Sequence, residues 1–171
     1  MRIRPYLPGE EARLRAIFHS AVHGLARRDY SAEQLHAWAP PEYDAALWAQ
    51  RMRANQTLVA EVDGEPAAFT DLQPSGYIDM FFVAASHARR GVGGALLRHV
   101  IQLATERRIL ALHSDVSLTA EPFFARHGFK VETRNRVEVR GAVLANATMR
   151  KLLFPGSGGK SEHGTIARAA S

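Results

Sequence analysis

"YIDMFFVAASHARRGVGGALLRHVIQLA", residues 77–104, changes its periodicity at a cluster of glycines. The first part alternates as a strand does, with Tyr77, Asp79, Phe81 and Val83 on one face and Ile78, Met80 and Phe82 on the other. From residue 91 to 107 the spacing is helical, through Leu96, Leu97, Val100, Ile101 and Ala104. A short connection, "AASHA", and Gly91, Gly93 and Gly94 thus carry a strand into the mouth of a helix. The first N–H groups of a helix have no intrahelical acceptor, and the aligned peptide dipoles add about half a positive charge there. Glycines keep side chains out of the way, so amides of Arg90, Gly91, Val92, Gly93, Gly94 and Ala95 are able to wrap a phosphate pair, with charge supplied by Arg89 and Arg90. A tight strand-to-helix turn is the other reading of the same glycines. Neither the G-x-x-x-x-G-K-[ST] phosphate loop nor the G-x-G-x-x-G dinucleotide fingerprint is present.

Upstream, "MRIRPY" reads as a first strand and "GEEARLRAIFHSAVHGLA" as a long helix with Leu14, Ile17, Phe18, Ala21, Val22 and Leu25 on one face. "SAEQLHAWAP" is a second helix, capped by Ser31 and stopped by Pro40-Pro41, and "YDAALWAQRMRAN" a third. "TLVAEV", "AAFTDLQ" and "YIDMFFVA" follow as three antiparallel strands joined by turns. Downstream come the buried strand "ILALHSDVS", the helix "LTAEPFFARHGF" closed by Gly128, and two long strands meeting at Arg140-Gly141. The fold class is therefore α/β: one domain over residues 1–154, a mixed, mostly antiparallel twisted sheet of six to seven strands with helices on both faces. The Gly/Ser-rich stretch 155–171 is too poor in apolar residues to order itself and is expected to be a disordered tail.

Composition narrows the chemistry. The 171 residues are 46% hydrophobic, enough for a core, and include no cysteine, which excludes disulfides, thiolate metal sites and a cysteine nucleophile. His19 and His23 share a helix face, but Ser20 stands where a zinc protease has glutamate, and no metal site is expected. The net charge of +5 comes from arginines spread along the chain without any block of five, which reads as a solvated surface rather than a nucleic-acid face. Neither a signal peptide nor an apolar membrane span is apparent, so a cytoplasmic protein with no membrane partner is expected.

The strand "YIDMFFV", the loop-helix "RRGVGGALL", the strand ending "SDVS" and the helix "LTAEPFFARHGF" together resemble the core of the GNAT superfamily of N-acetyltransferases, over about residues 2–153 and most closely over 76–129. In the family's [Q/R]-x-x-G-x-[G/A] motif, Gly91 and Gly93 fill the small positions while Ala88 replaces Gln or Arg. Ser117, Ala120, Phe123-Phe124 and Gly128-Phe129 match the second signature, with Ser117 in place of asparagine. The resemblance implies acetyl-CoA as cofactor, its pyrophosphate on the glycine loop, and its pantetheine arm between a bulged fourth strand and the fifth, bonded to main chain near Phe81, Phe82 and Val83 and packed on Phe124, for which plain core packing is the alternative. It further implies direct attack of a primary amine on the thioester, with a main-chain N–H polarising the carbonyl, a term worth about 3 to 4 kcal/mol per donor. Homodimerisation through the last strands is a further expectation from the family.

An amine attacks only when neutral, so its proton needs an acceptor. Asp79, charged within an apolar strand and beside Tyr77, is the candidate base; capping a strand edge or pairing with an arginine is its alternative role. Phe124 stands where many members have a proton-donating tyrosine, which leaves Ser117 or water to serve the departing thiolate. Tyr30, His36, Trp38 and Asp71 are the candidate acceptor-binding residues, the aromatics at this spacing being more often core and Asp71 serving also as a second candidate base. The acceptor stays open among small amines, amino acids, aminoglycosides and protein N-termini. A catalytically silent acyl-CoA-binding module of the same fold is the alternative function.

Overall fold

The computed structural model describes residues 1–154; the tail expected over 155–171 lies outside the described residues. The chain runs β1 (Arg2–Pro5), α1 (Glu11–Leu25), α2 (Ala32–Trp38), α3 (Ala45–Ala54), β2 (Leu58–Val62), β3 (Glu65–Thr70), β4 (Phe81–Val83), α4 (Val92–Glu106), β5 (Ala111–Ser117), α5 (Glu121–Arg126), β6 (Lys130–Val139) and β7 (Ala142–Leu152). Local chemistry sets many of these ends. Ser31 and Gln34 close a reciprocal capping box on α2, Asp44 caps α3 through the amides of Ala46 and Leu47, and Gly128 ends the α5 turn at φ 86°. Arg140 and Gly141, at φ 46° and 84°, make the two-residue turn of the β6–β7 hairpin.

The strands form two antiparallel sheets, β1-β2-β3-β4 and β5-β7-β6. Among the described residues they meet at a single parallel bridge between Tyr77 and His113, where Ile78 N–H donates to the His113 carbonyl at 2.9 Å and His113 N–H to that of Gly76 at 3.0 Å. Gly76 is required there: at φ 86° a Cβ would stand 2.0 Å from the Ala111 carbonyl oxygen.

The strand expected over residues 77–84 is shorter than its sequence suggests, because the backbone changes sides at Asp79. Ile78 faces β5, also accepting from Ser114 Oγ at 2.7 Å. Met80 faces β3, where its N–H meets the Asp71 carboxylate at 2.7 Å and its carbonyl the Thr70 hydroxyl at 2.8 Å. Beyond that switch β4 pairs with β3 alone, and the two sheets diverge.

Helices cover both faces. On one, α1, α2 and α3 pack Leu14, Phe18, Val22, Trp48 and Met52 against Val59, Phe69 and Met80. On the other, Val92 and Leu96 of α4 meet Ala60, Ala67 and Ala68, while Leu97, Val100 and Ala104 join Leu112, Phe124, Phe129 and Met149. Each fully buried leucine contributes about 2 kcal/mol of apolar transfer, so α4 is anchored along its length. Among the described residues no helix is long and apolar enough to cross a membrane.

Candidate active site

The glycine loop is built by main-chain geometry. Arg89 and Gly91 have φ of 59° and 81°, an alternation with Arg90 that gathers N–H groups into an anion-binding concavity. Gly91 is the N-cap of α4, and a Cβ added there would enter open space at the helix mouth. At Gly93 crowding decides instead: a Cβ would stand 3.3 Å from Val83 Cγ2 and 3.5 Å from the Phe123 ring, so glycine lets the helix begin tight against β4. The turn before the loop rests on α1, where Ser20 Oγ accepts the Ala85 N–H at 3.0 Å and Gly24 leaves room for Ala85, whose Cβ would be 2.7 Å from one on residue 24. An open face, an ordered helix N-terminus and the exposed Arg89 and Arg90 fit a pyrophosphate.

The divergence of the sheets exposes one edge of β4. Ala84 N–H donates to the Ala67 carbonyl at 2.9 Å, and antiparallel alternation then turns Phe82 toward β3 as well, leaving the main-chain groups of Phe81 and Val83 facing the gap. This corrects the expectation for Phe82. Its main chain is spent in the sheet, and its ring packs edge-on to Phe18 at 4.7 Å on the other wall. Phe124 is also corrected: at 2% exposure it is core, wedged among Phe81, Phe123 and Phe129, and Phe123 is the ring beside the loop.

The carboxylates divide by burial. Asp71 has no exposure; both its oxygens accept main-chain N–H groups, from Met80 at 2.7 Å and Asp79 at 3.3 Å, and burial pushes its pKa up to about 6. It shapes β4 and does not reach an acceptor, contrary to the expectation that it binds substrate. Asp79 is half-buried and paired with an arginine: Arg51 Nε and Nη2 donate to Oδ2 at 2.9 and 2.7 Å, and Asn55 Nδ2 joins them at 2.8 Å. Tyr77 lies behind the site, tilted on His113 at 5.2 Å, with its hydroxyl 3.5 Å from Asp115 Oδ2. Burial, then the Asp115 charge, pushes its pKa up to about 12, so the phenol stays protonated.

A cavity of about 470 Å³ opens on the α1–α2 side of the gap. Asp79, Asp115, Ser117, Tyr30, Trp38 and Phe82 line it, with Arg15, Arg51 and Arg140. Tyr30 braces the wall, donating to the Ala145 carbonyl at 2.5 Å and accepting from Leu118 N–H at 3.0 Å. Ser117 Oγ accepts the Ala120 N–H at 3.1 Å, and Asp115 Oδ1 accepts from Thr148 at 2.7 Å. His36 is not in this wall; it is on the exposed face of α2, which overturns its assignment to the acceptor. His19 and His23 stack at 4.2 Å, and His23 Nε2 lies 2.8 Å from the Ala39 carbonyl.

Arg15, Arg51, Asp115 and Arg140 were missed by sequence reasoning. Arg15 carried a signal, because it occupies the apolar face of α1 three positions before Phe18 and seven before Val22. Asp115 alternates with buried Ser114 and Val116 and so projects from β5.

Residues 26–153 match the family model described as an acetyltransferase (GNAT) domain. The chain is 39% identical over 150 residues to the uncharacterized N-acetyltransferase YafP of Escherichia coli K12, covering 88% of this chain and 95% of that one. The crystal structure of a GCN5-related N-acetyltransferase from Rhodopseudomonas palustris superposes with a TM-score of 0.84 at 39% identity, over 88% of this chain and 94% of that one. The paia N-acetyltransferase of Thermoplasma acidophilum, solved in complex with coenzyme A, shares the fold at a TM-score of 0.71 and 17% identity, over 88% and 98% of the two chains.

Proposed function

The chain belongs to the GNAT acetyltransferase family, an acyltransferase fold whose co-substrate is acetyl-CoA, and we propose that it transfers the acetyl group to a primary amine by direct attack in a ternary complex. The observation that carries this reading is the switch of main-chain direction between Ile78 and Met80, which opens the β4 edge between the glycine loop and the cavity.

Acetyl-CoA, when bound, supplies the activated thioester. The amides from Arg90 to Gly94 would hold the pyrophosphate with Arg89 and Arg90, and the open main chain of Phe81 and Val83 the pantetheine arm; Ala95, expected in the cradle, is excluded because its N–H is spent on the Gly91 carbonyl at 3.0 Å as the first bond of α4. A main-chain donor at this edge is the type of group that stabilises charge developing on an acyl oxygen. Asp79 accepts the proton of the incoming ammonium, directly or through water. Its three donors all fall on Oδ2, so Oδ1 is the oxygen that serves. Ser117 provides the hydroxyl for the departing sulfur, since Phe124 has no proton to give. Tyr77 positions Asp115, and Tyr30 and Trp38 enclose the acceptor.

Thiol release from acetyl-CoA across a panel of amines tests the reading: turnover of one or more amines above the water rate supports it, and tight acetyl-CoA binding without turnover on any of them favours the silent module. For assembly, we place a homodimer contact on β6, the outer strand of its sheet, where Val131 and Val137 are exposed; sedimentation velocity reads it directly.

A further inference from the structure

Arg15 is a buried cation without a counter-charge. It is 7% exposed, and among the described residues no carboxylate lies within ion-pair distance of it. Its guanidinium is caged by rings instead, 4.5 Å from the centroid of Tyr43, 4.8 Å from Phe18 and 5.5 Å from Trp48. One nitrogen, Nη2, is spent on the Pro40 carbonyl at 2.6 Å. No side-chain nitrogen sealed from solvent lacks a partner among the described residues, so Nε and Nη1, which have none, each keep some contact with solvent, and Arg15 lines the cavity. Arg140 lines the same cavity, fixed by Nη1 on the Ala37 carbonyl at 2.8 Å. Burial and the repulsion of Arg140 both pull the Arg15 pKa down. A largely buried guanidinium with two nitrogens, Nε and Nη1, making no hydrogen bond is costly until an oxyanion fills the fork.

We propose that the acceptor is a small amine that also carries a carboxylate, an amino-acid-type zwitterion, and that Arg15 receives the carboxylate inside the cavity with Arg140 adding charge. The identification of this ligand as the acceptor rests on the transferase reading. A second set of groups fits the other end of such a molecule: Asp79, just before β4, and Asp115 of β5 line the same cavity with negative charge. A volume of about 470 Å³ suits a small molecule rather than a folded partner.

The test is equilibrium binding, kept separate from turnover. The full chain saturated with CoA is titrated with the standard amino acids and, in parallel, with the amine left when each loses its carboxylate, by calorimetry. At least one acid is expected to bind about tenfold or more tightly than its paired amine. Arg15→Gln should collapse that ratio toward one, and Arg15→Lys, which keeps the charge and guards against a folding defect, should retain part of it; thermal melts establish that each variant is folded. Equal affinities, tighter binding of the amines, binding of none of the acids, or a preference that survives Arg15→Gln overturns the proposal. An acid that binds with this preference yet is never acetylated supports the pocket and refutes the transferase reading instead.

Discussion

The carboxylate of Asp71 accepts the main-chain N–H of Met80 at 2.7 Å with no access to solvent. That bond holds the chain on the β3 side immediately after Ile78 has bonded to β5, and so fixes where the gap begins. Its pKa, raised from 3.8 to about 6 by burial, has a definite consequence for stability. The folded state binds the proton more tightly than the unfolded one, so the contribution of this group is fully present below about pH 3.8 and is lost as pH rises through about 6, a change of about 3 kcal/mol. Asp71→Asn removes the titration while its amide oxygen still accepts from Met80. Denaturant midpoints for both proteins between pH 4 and 7 should show the wild type losing ground relative to the variant as pH rises; parallel profiles contradict the assignment.

Glycine is demanded at residue 91 by φ and at residue 24 by space. Gly24→Ala gains up to about 1 kcal/mol of helix propensity, but places a methyl 2.7 Å from Ala85 Cβ, an overpacking cost of about 1 to 3 kcal/mol. Urea unfolding should show a net loss, together with weaker acetyl-CoA binding as the loop shifts. Equal or higher stability with unchanged affinity would show that α1 does not set the loop.

Gly91→Glu puts bulk and negative charge at the helix mouth, where a Cβ now meets nothing within 4 Å. Binding of acetyl-CoA should be abolished. Retained micromolar affinity removes the loop from the site.

Asp79→Asn keeps the shape of the wall and removes the proton acceptor. Turnover should fall by about two orders of magnitude or more, with acetyl-CoA affinity unchanged within about a factor of two. A wild-type rate across pH 6 to 9 takes Asp79 out of the chemistry and turns attention to Asp115.

Tyr30→Phe deletes a hydroxyl that serves both the Ala145 carbonyl and the Leu118 amide. A loss of about 1 to 2 kcal/mol is expected, measured as a shift of the denaturant midpoint at constant slope.

The order of elements was legible because periodicity and punctuation agreed: the capping box at Ser31, Gly128 after α5 and Arg140-Gly141 between β6 and β7 all fall where the sequence places them. The glycine loop was legible for the same reason, since helix start and bare backbone coincide. The length of β4 was not, because alternation records a pleated surface and not a partner, and the partner changes at Asp79. Asp71 looked available to a substrate because its acceptors' donors, the amides of Asp79 and Met80, lie eight and nine residues downstream across the β3–β4 turn. Arg15 was passed over because a charged residue is ordinarily solvated; its cage comes from Tyr43 and Trp48 as well as its own helix, and only the fold brings them together.

The most direct measurement is a calorimetric titration of the full chain with acetyl-CoA, with ATP and NAD as controls. Micromolar, one-to-one binding of acetyl-CoA and not of the controls is the predicted result, because it requires the cradle at Gly91 and the open edge of β4 together. Absence of acetyl-CoA binding by the folded protein would contradict the account, reducing the glycines to a tight turn and leaving the gap between the sheets without a ligand.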